Sequence, residues 1–214
     1  MKKFGFYVSN NATRLKKFLS IYRENKLLKQ IQFILIDNTS NKQLRKQCAE
    51  LSIPLYEEDL NIKKDKNIYI SDKFLFLLQK HNVNIGFVFC DKILKGNLLK
   101  IYKNKIINFH PSILPAHKGL NAIDQAIKMD TFLLGNTAHI VTDKLDSGSV
   151  IMQNIFPLYN FTNYNDILDK QIIMLLQIME WIDADRMTIL DNRVYIKNAK
   201  YDVSEFIPNI EIGT

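Results

Sequence analysis

The sequence predicts an α/β protein with a mostly parallel sheet and helices on both faces. Short apolar runs rich in β-branched and aromatic residues recur at 4–8, 31–36, 83–89 and 106–109. Between them lie segments whose apolar residues fall three and four apart. The alternation starts near the N-terminus, the pattern of strand–helix–strand crossovers.

Phe4-Gly-Phe-Tyr-Val8 reads as a buried strand closed by Ser9-Asn10-Asn11. Thr13 is placed to cap a helix with Leu15, Phe18, Leu19 and Tyr22 inward. Ile31–Ile36 is a second strand ending in Asp37-Asn38-Thr39, and 42–51 is helical through Leu44, Cys48 and Leu51. Residues 53–56 form a short third strand, and the charge run 63–66 a solvated turn. Phe74–Leu78 suits a buried helix face, followed by strands at 83–89 and 106–109. Ligands of such sheets sit beyond the carboxyl ends of the strands, here 9–11, 37–39, 90–91 and 108–110. Further on, 123–129 is helical, and 137–142 and 150–156 are strands around a turn at Asp146-Ser147-Gly148. Residues 167–182 form a strongly apolar helix carrying the only Trp, suited to core or to a homodimer interface. A hairpin around Asp191-Asn192 follows, and 202–214 read as a loose tail. The organisation expected is a catalytic domain over 1–160 and a helix-plus-hairpin appendage over 161–214.

The composition narrows the classes. At 47% hydrophobic content the 214 residues can build a substantial core. Cys48 and Cys90 are too few for a disulfide scaffold, lack metal-ligand spacing and suit a reducing compartment. The apolar run at the N-terminus ends too early for a signal peptide, and no stretch has the length to span a bilayer. A cytoplasmic protein is expected, without membrane or metal. The charge of +7 comes mostly from Lys, and the five Arg are scattered. That argues against a nucleic-acid surface and leaves a field that attracts small anionic substrates.

The chemistry concentrates after residue 107. Asn108 and His110 are two apart on an extended segment, so they point to the same side. Pro111 and Pro115 stiffen the exit. A fixed amide and imidazole suit the stabilisation of an oxyanion. Asp146, on a tight turn, can orient an imidazole or accept a proton. Each residue alone also has an ordinary role: a strand-end hydrogen-bonder, a loop amide, a turn former. His139 is divided between packing and support of such a site.

Together, Asn108-Phe-His-Pro-Ser-Ile-Leu-Pro115, Gly119, Gly135-Asn-Thr-Ala-His139, Thr142 and Leu145-Asp-Ser-Gly-Ser-Val-Ile-Met-Gln153 resemble the folate-dependent formyltransferases. The resemblance implies a Rossmann-like formyltransferase fold. It implies transfer of a formyl group from 10-formyltetrahydrofolate to a primary amine, with Asn108, His110 and Asp146 catalytic. It places the pterin against Cys90, Asp91, Lys92, Ile93 and Leu94 on one side and Val141 and Thr142 on the other. The acceptor then falls to Ser9, Asn10, Asn11, Thr13, Arg14, His117 and Lys118.

The family's ribonucleotide enzymes carry a glycine-rich phosphate loop after the first strand. Here Asn10 and Ala12 stand in place of the glycines, which disfavours close backbone approach to phosphate. An RNA-binding domain of the methionyl-tRNA enzymes does not fit in the residues after 160. The acceptor expected is therefore a nucleotide-linked amino sugar, such as a dTDP-4-amino-4,6-dideoxy sugar of O-antigen or lipopolysaccharide biosynthesis. The alternatives are phosphoribosylglycinamide formyl transfer in purine biosynthesis and a non-catalytic folate- or nucleotide-binding relative.

Overall fold

Alternation along β1 (Phe4–Val8) sends successive side chains to opposite faces of its sheet, and the helices meet them there. The computed structural model describes residues 1–129, 131–158 and 164–212. It divides into two compact units, 1–107 and 108–214. In the first, β2 (Ile31–Ile36), β3 (Leu55–Glu57) and β4 (Ile85–Phe89) join β1 in the order β4-β1-β2-β3. Every pairing among these four is parallel. Helix α1 (Thr13–Ile21) brings Phe18 to Phe6, with ring centroids 6.5 Å apart. From the other face α3 (Lys66–Lys80) brings Phe74 to Tyr7 at 6.0 Å and to Phe33 at 5.9 Å. Helix α2 (Lys42–Glu50) is capped by the Asn41 side chain, which accepts from the Leu44 amide. A short α4 (Asn97–Ile101) follows a left-handed Gly96. The α/β class read from the sequence is the class observed.

One helix start differs from expectation. Ala12, not Thr13, is the N-cap of α1; its φ is 49° and no side chain caps the helix. Thr13 is the first helical residue because the left-handed turn at Ala12 begins the helix one position earlier.

The second unit opens within β5 (Ile106–His110). Helix α5 (Ala122–Lys128) precedes an antiparallel pair, β6 (Leu133–Ile140) and β7 (Val150–Pro157). Helix α6 (Tyr164–Asp183) packs on β6, and Ile123, Ala126, Leu134, Phe156 and Ile167 share one apolar cluster. Amides lock this layer. Asn136 donates through N and Nδ2 to Asn154 Oδ1, and its Nδ2 also reaches the Ile167 carbonyl at 2.9 Å. Gln171 Nε2 donates back to Asn136 Oδ1 at 2.7 Å. Buried amides are tolerated when paired in this way.

The hairpin forms as read, from β8 (Met187–Leu190) and β9 (Arg193–Ile196). Asp191 and Asn192 both have positive φ, the geometry of a type I′ turn. The tail is not loose over its described length. Phe206–Ile207 form β10, antiparallel to β7, and the Arg186 guanidinium grips Glu211 at 2.5 and 3.0 Å. A two-residue strand leaves no periodic signal in a sequence, which is why it was missed.

Gly135 permits the β6–β7 approach. A Cβ there lies 2.1 Å from the Asn154 carbonyl oxygen and 2.7 Å from Ile113 Cγ1. We expect Gly135→Ala to cost about 1–3 kcal/mol, read as a lowered denaturant midpoint. An unchanged midpoint means that the two strands separate without penalty.

Candidate active site

The residues that carry chemistry in the second unit are held by its own strands and loops. Thr137 on β6 donates to the Ser112 carbonyl at 2.7 Å and accepts from the Leu114 amide at 3.0 Å. Gln153 on β7 holds the Leu114 carbonyl at 2.9 Å. Together they pin the proline-flanked segment that leaves β5, while Ser112 Oγ donates to the Ala116 carbonyl at 2.7 Å. The chain then turns through a left-handed His117 and Gly119.

Four polar side chains converge here. His110 is 5% exposed; its Nε2 donates to the His117 carbonyl at 2.8 Å, and its Nδ1 lies 3.5 Å from Asp146 Oδ2. Asp146 Oδ1 lies 3.6 Å from His139 Nε2, and Asn108 Nδ2 lies 3.3 Å from the same nitrogen. Asp146, left-handed at φ 45°, also accepts from the Gly119 amide at 2.8 Å. Lys118 Nζ donates to Ser147 Oγ at 2.8 Å. The structure thus brings Asn108, His110 and Asp146 together and adds His139. The signal for His139 was present in the sequence: it lies on a strand that ends before the turn carrying Asp146.

His117 and Lys118 serve here through a carbonyl and a bond to the Asp146 turn. Val141 and Thr142 are half-buried at the exit of β6, and Thr142 Oγ1 donates to the Lys144 carbonyl at 3.1 Å.

The remaining nominated residues lie in the first unit. Asp37, whose side chain is 5% exposed, organises the loop after β1. It accepts from Tyr7 Oη at 2.9 Å, Ser9 Oγ at 2.8 Å and the Asn10 amide at 3.1 Å. The Ala12 amide donates to the Ser9 carbonyl at 3.2 Å. Asn38 and Asn41 side chains donate to the Asn10 and Asn11 carbonyls at 3.0 and 2.9 Å. Asn10 and Ala12 keep the left-handed φ of 56° and 49° that glycines adopt freely. Thr13 is exposed. Arg14 is half-buried with Cζ 4.7 Å above the Phe89 ring, and burial lowers its guanidinium to about 10.

After β4, Cys90 Sγ donates to the Lys92 carbonyl at 3.5 Å, and Lys92 pairs with Asp91 at 2.6 Å. The Ile93 amide donates to Asn67 Oδ1 at 3.2 Å; its side chain is exposed, whereas Leu94 is buried. Among the described residues no group of His, Cys, Asp and Glu could hold a metal ion, and no helix is long and apolar enough to cross a membrane.

The sequence profile of the formyl transferase family matches residues 2–172. The chain belongs to that family. Among its relatives is the phosphoribosylglycinamide formyltransferase of Haemophilus influenzae, 23% identical over 206 residues, which cover 92% of this chain and 94% of that one. The formyltetrahydrofolate deformylase of Bacillus subtilis is 25% identical over 205 residues, but this chain spans 66% of its length. The crystal structure of phosphoribosylglycinamide formyltransferase from Anaplasma phagocytophilum has a TM-score of 0.77. It covers 94% of this chain and 97% of its own at 23% identity, a likeness of fold.

Burial pushes both thiols up to about 12. Both thiols therefore stay protonated at neutral pH, which slows alkylation. Iodoacetamide at pH 8 should leave Cys48 and Cys90 largely unmodified until denaturant is added. Rapid labelling of Cys90 in the folded chain contradicts that environment.

Proposed function

We propose that the protein transfers a formyl group from 10-formyltetrahydrofolate to a primary amine, and that the amine is that of phosphoribosylglycinamide. The observation that carries the reaction is the convergence of Asn108, His110, His139 and Asp146 within a single unit. The end-to-end match to a phosphoribosylglycinamide formyltransferase supports the acceptor and moves it ahead of the amino sugar favoured by the loop sequence. A match over only 66% of the deformylase's length weighs less.

The neutral amine attacks the formyl carbon, and negative charge grows on the formyl oxygen. Asn108 gives one Nδ2 hydrogen to His139 and keeps a second for that oxygen. Charged His110 donates from Nε2, exchanging the His117 carbonyl for the formyl oxygen. Asp146 holds the imidazolium through Nδ1 and takes the proton that the amine loses, directly or through water. The bond from the formyl carbon to the folate nitrogen then breaks, and that nitrogen receives the proton that Asp146 had taken, directly or through water. The turn at 141–142 is the segment of this unit proposed to meet the pterin. In the first unit, Ile93 on the 90–94 turn presents an exposed apolar side chain.

A nucleotide-linked amino sugar is kept as the second reading on one observation. The Asn10 amide is already donated to the buried Asp37 carboxylate, so a phosphate on this loop meets negative charge instead of an open amide cradle. An acceptor whose phosphates bind elsewhere does not need that amide.

The test is release of tetrahydrofolate with phosphoribosylglycinamide, with a dTDP-4-amino sugar, or with no acceptor. Turnover that needs the ribonucleotide supports the first reading, and turnover that needs the sugar replaces it with the second. Release without any amine indicates hydrolysis. Asn108→Ala should lower kcat roughly 100-fold, with little change in folate binding. Undiminished turnover in that variant makes Asn108 structural and removes the mechanism.

A further inference from the structure

His139 is more constrained than a packed strand residue needs to be. Only 2% of it is exposed, at the end of β6. Its Nδ1 faces the Ile140 carbonyl at 3.0 Å; a carbonyl only accepts, so Nδ1 carries a proton. In the neutral ring Nε2 is therefore a lone pair. Asn108 Nδ2 is 3.3 Å from that lone pair. The bond requires the amide nitrogen of Asn108, not its oxygen, to face the ring. The same Nε2 lies 3.6 Å from Asp146 Oδ1. A proton there turns it toward the carboxylate and sets it against the Asn108 donors.

We propose that His139 is a positioning residue whose unprotonated Nε2 holds Asn108 in its donor orientation, and whose protonation releases Asn108 and draws Asp146 from His110. This rests on the formyl-transfer reading of the same residues. The charged groups facing His139 are Asp146, from the turn after β6, and His110, from β5. Burial pushes the His139 imidazole below its ordinary range. The Ile140 bond and Asp146 oppose that shift, and His110 adds to it. The neutral form thus persists at neutral pH, and the switch lies on the acid side.

Two measurements on the intact chain test this. The first is ¹⁵N-histidine NMR, which needs no turnover. At pH 7 it should show His139 protonated at Nδ1 and bare at Nε2. The second compares His139→Gln with His139→Leu. A glutamine Oε1 can occupy the Nε2 position and accept from Asn108, but it does not titrate; leucine fills similar space and accepts nothing. We expect His139→Leu to lower kcat about 10–100-fold, part of the cost of a lost oxyanion donor, with KM for the folate co-substrate nearly unchanged. His139→Gln should recover kcat to within about threefold and keep it at a pH where the parent has lost it. A glutamine variant as impaired as the leucine one, or an identical acid limb, overturns the proposal. If the leucine variant does not fold, the tautomer and the glutamine pH profile decide the matter. A charged ring at neutral pH in a chain that transfers formyl groups defeats this proposal alone. The expected tautomer in a chain that transfers none defeats the formyl-transfer reading and this proposal with it.

Discussion

The Asp146 carboxylate is the constraint around which the second unit is built. Its side chain is 8% exposed, and burial of a charge is tolerated only with partners. It has the Gly119 amide at 2.8 Å and His110 Nδ1 and His139 Nε2 at 3.5 and 3.6 Å. To reach them the backbone takes a left-handed turn at Asp146 and crowds Gly148 against β6. A Cβ at 148 falls 1.7 Å from the Ile140 carbonyl oxygen. That oxygen is also the acceptor that fixes the proton on His139 Nδ1. One carbonyl therefore excludes a side chain at 148 and sets the tautomer of the histidine. The turn and the imidazole are parts of one local solution.

The first unit repeats the device with a different consequence. Asp37 is as buried as Asp146 and also receives a backbone amide from a left-handed loop, that of Asn10. Two hydroxyls, from Tyr7 and Ser9, and the Lys92 ammonium at 3.9 Å complete its shell. Burial, with Cys90 and Asp37 acting in the same direction, raises the Tyr7 hydroxyl, which keeps it a donor. The loop after β1 thus keeps a glycine-like path with Asn10 and Ala12 in it, but its first amide points at a carboxylate. Loop shape and loop charge have parted: the left-handed turns at Asn10 and Ala12 are present, and the group beneath them is a carboxylate.

Much of the layout was legible because it rests on period and punctuation. The apolar runs at 4–8 and 31–36 are strands over those residues, and Asp191-Asn192 is the turn of a hairpin. The grouping of Asn108, His110 and Asp146 was legible as separate blocks in order. What escaped is structure made by single long-range contacts. The start of α1 depends on a left-handed alanine, which no propensity foretells. The pairing of Phe206–Ile207 with β7 involves two residues. The His117 carbonyl on His110 Nε2 is a main-chain group and has no letter in the sequence. Asp37 acts through its side chain, yet it reads as a turn former until its three donors are seen.

The two histidines beside Asp146 have similar surroundings and different tautomers, and backbone carbonyls divide them. The His117 carbonyl fixes a proton on Nε2 of His110, and the Ile140 carbonyl fixes one on Nδ1 of His139. Each ring then turns its other nitrogen toward Asp146, His110 to Oδ2 and His139 to Oδ1. What separates the two rings is Asn108. Its Nδ2 needs an acceptor and finds one in His139 Nε2, and a proton there costs that hydrogen bond. No comparable donor faces His110 Nδ1 among its described contacts. The carboxylate thus faces two rings, and of the two only His139 also meets the amide of Asn108.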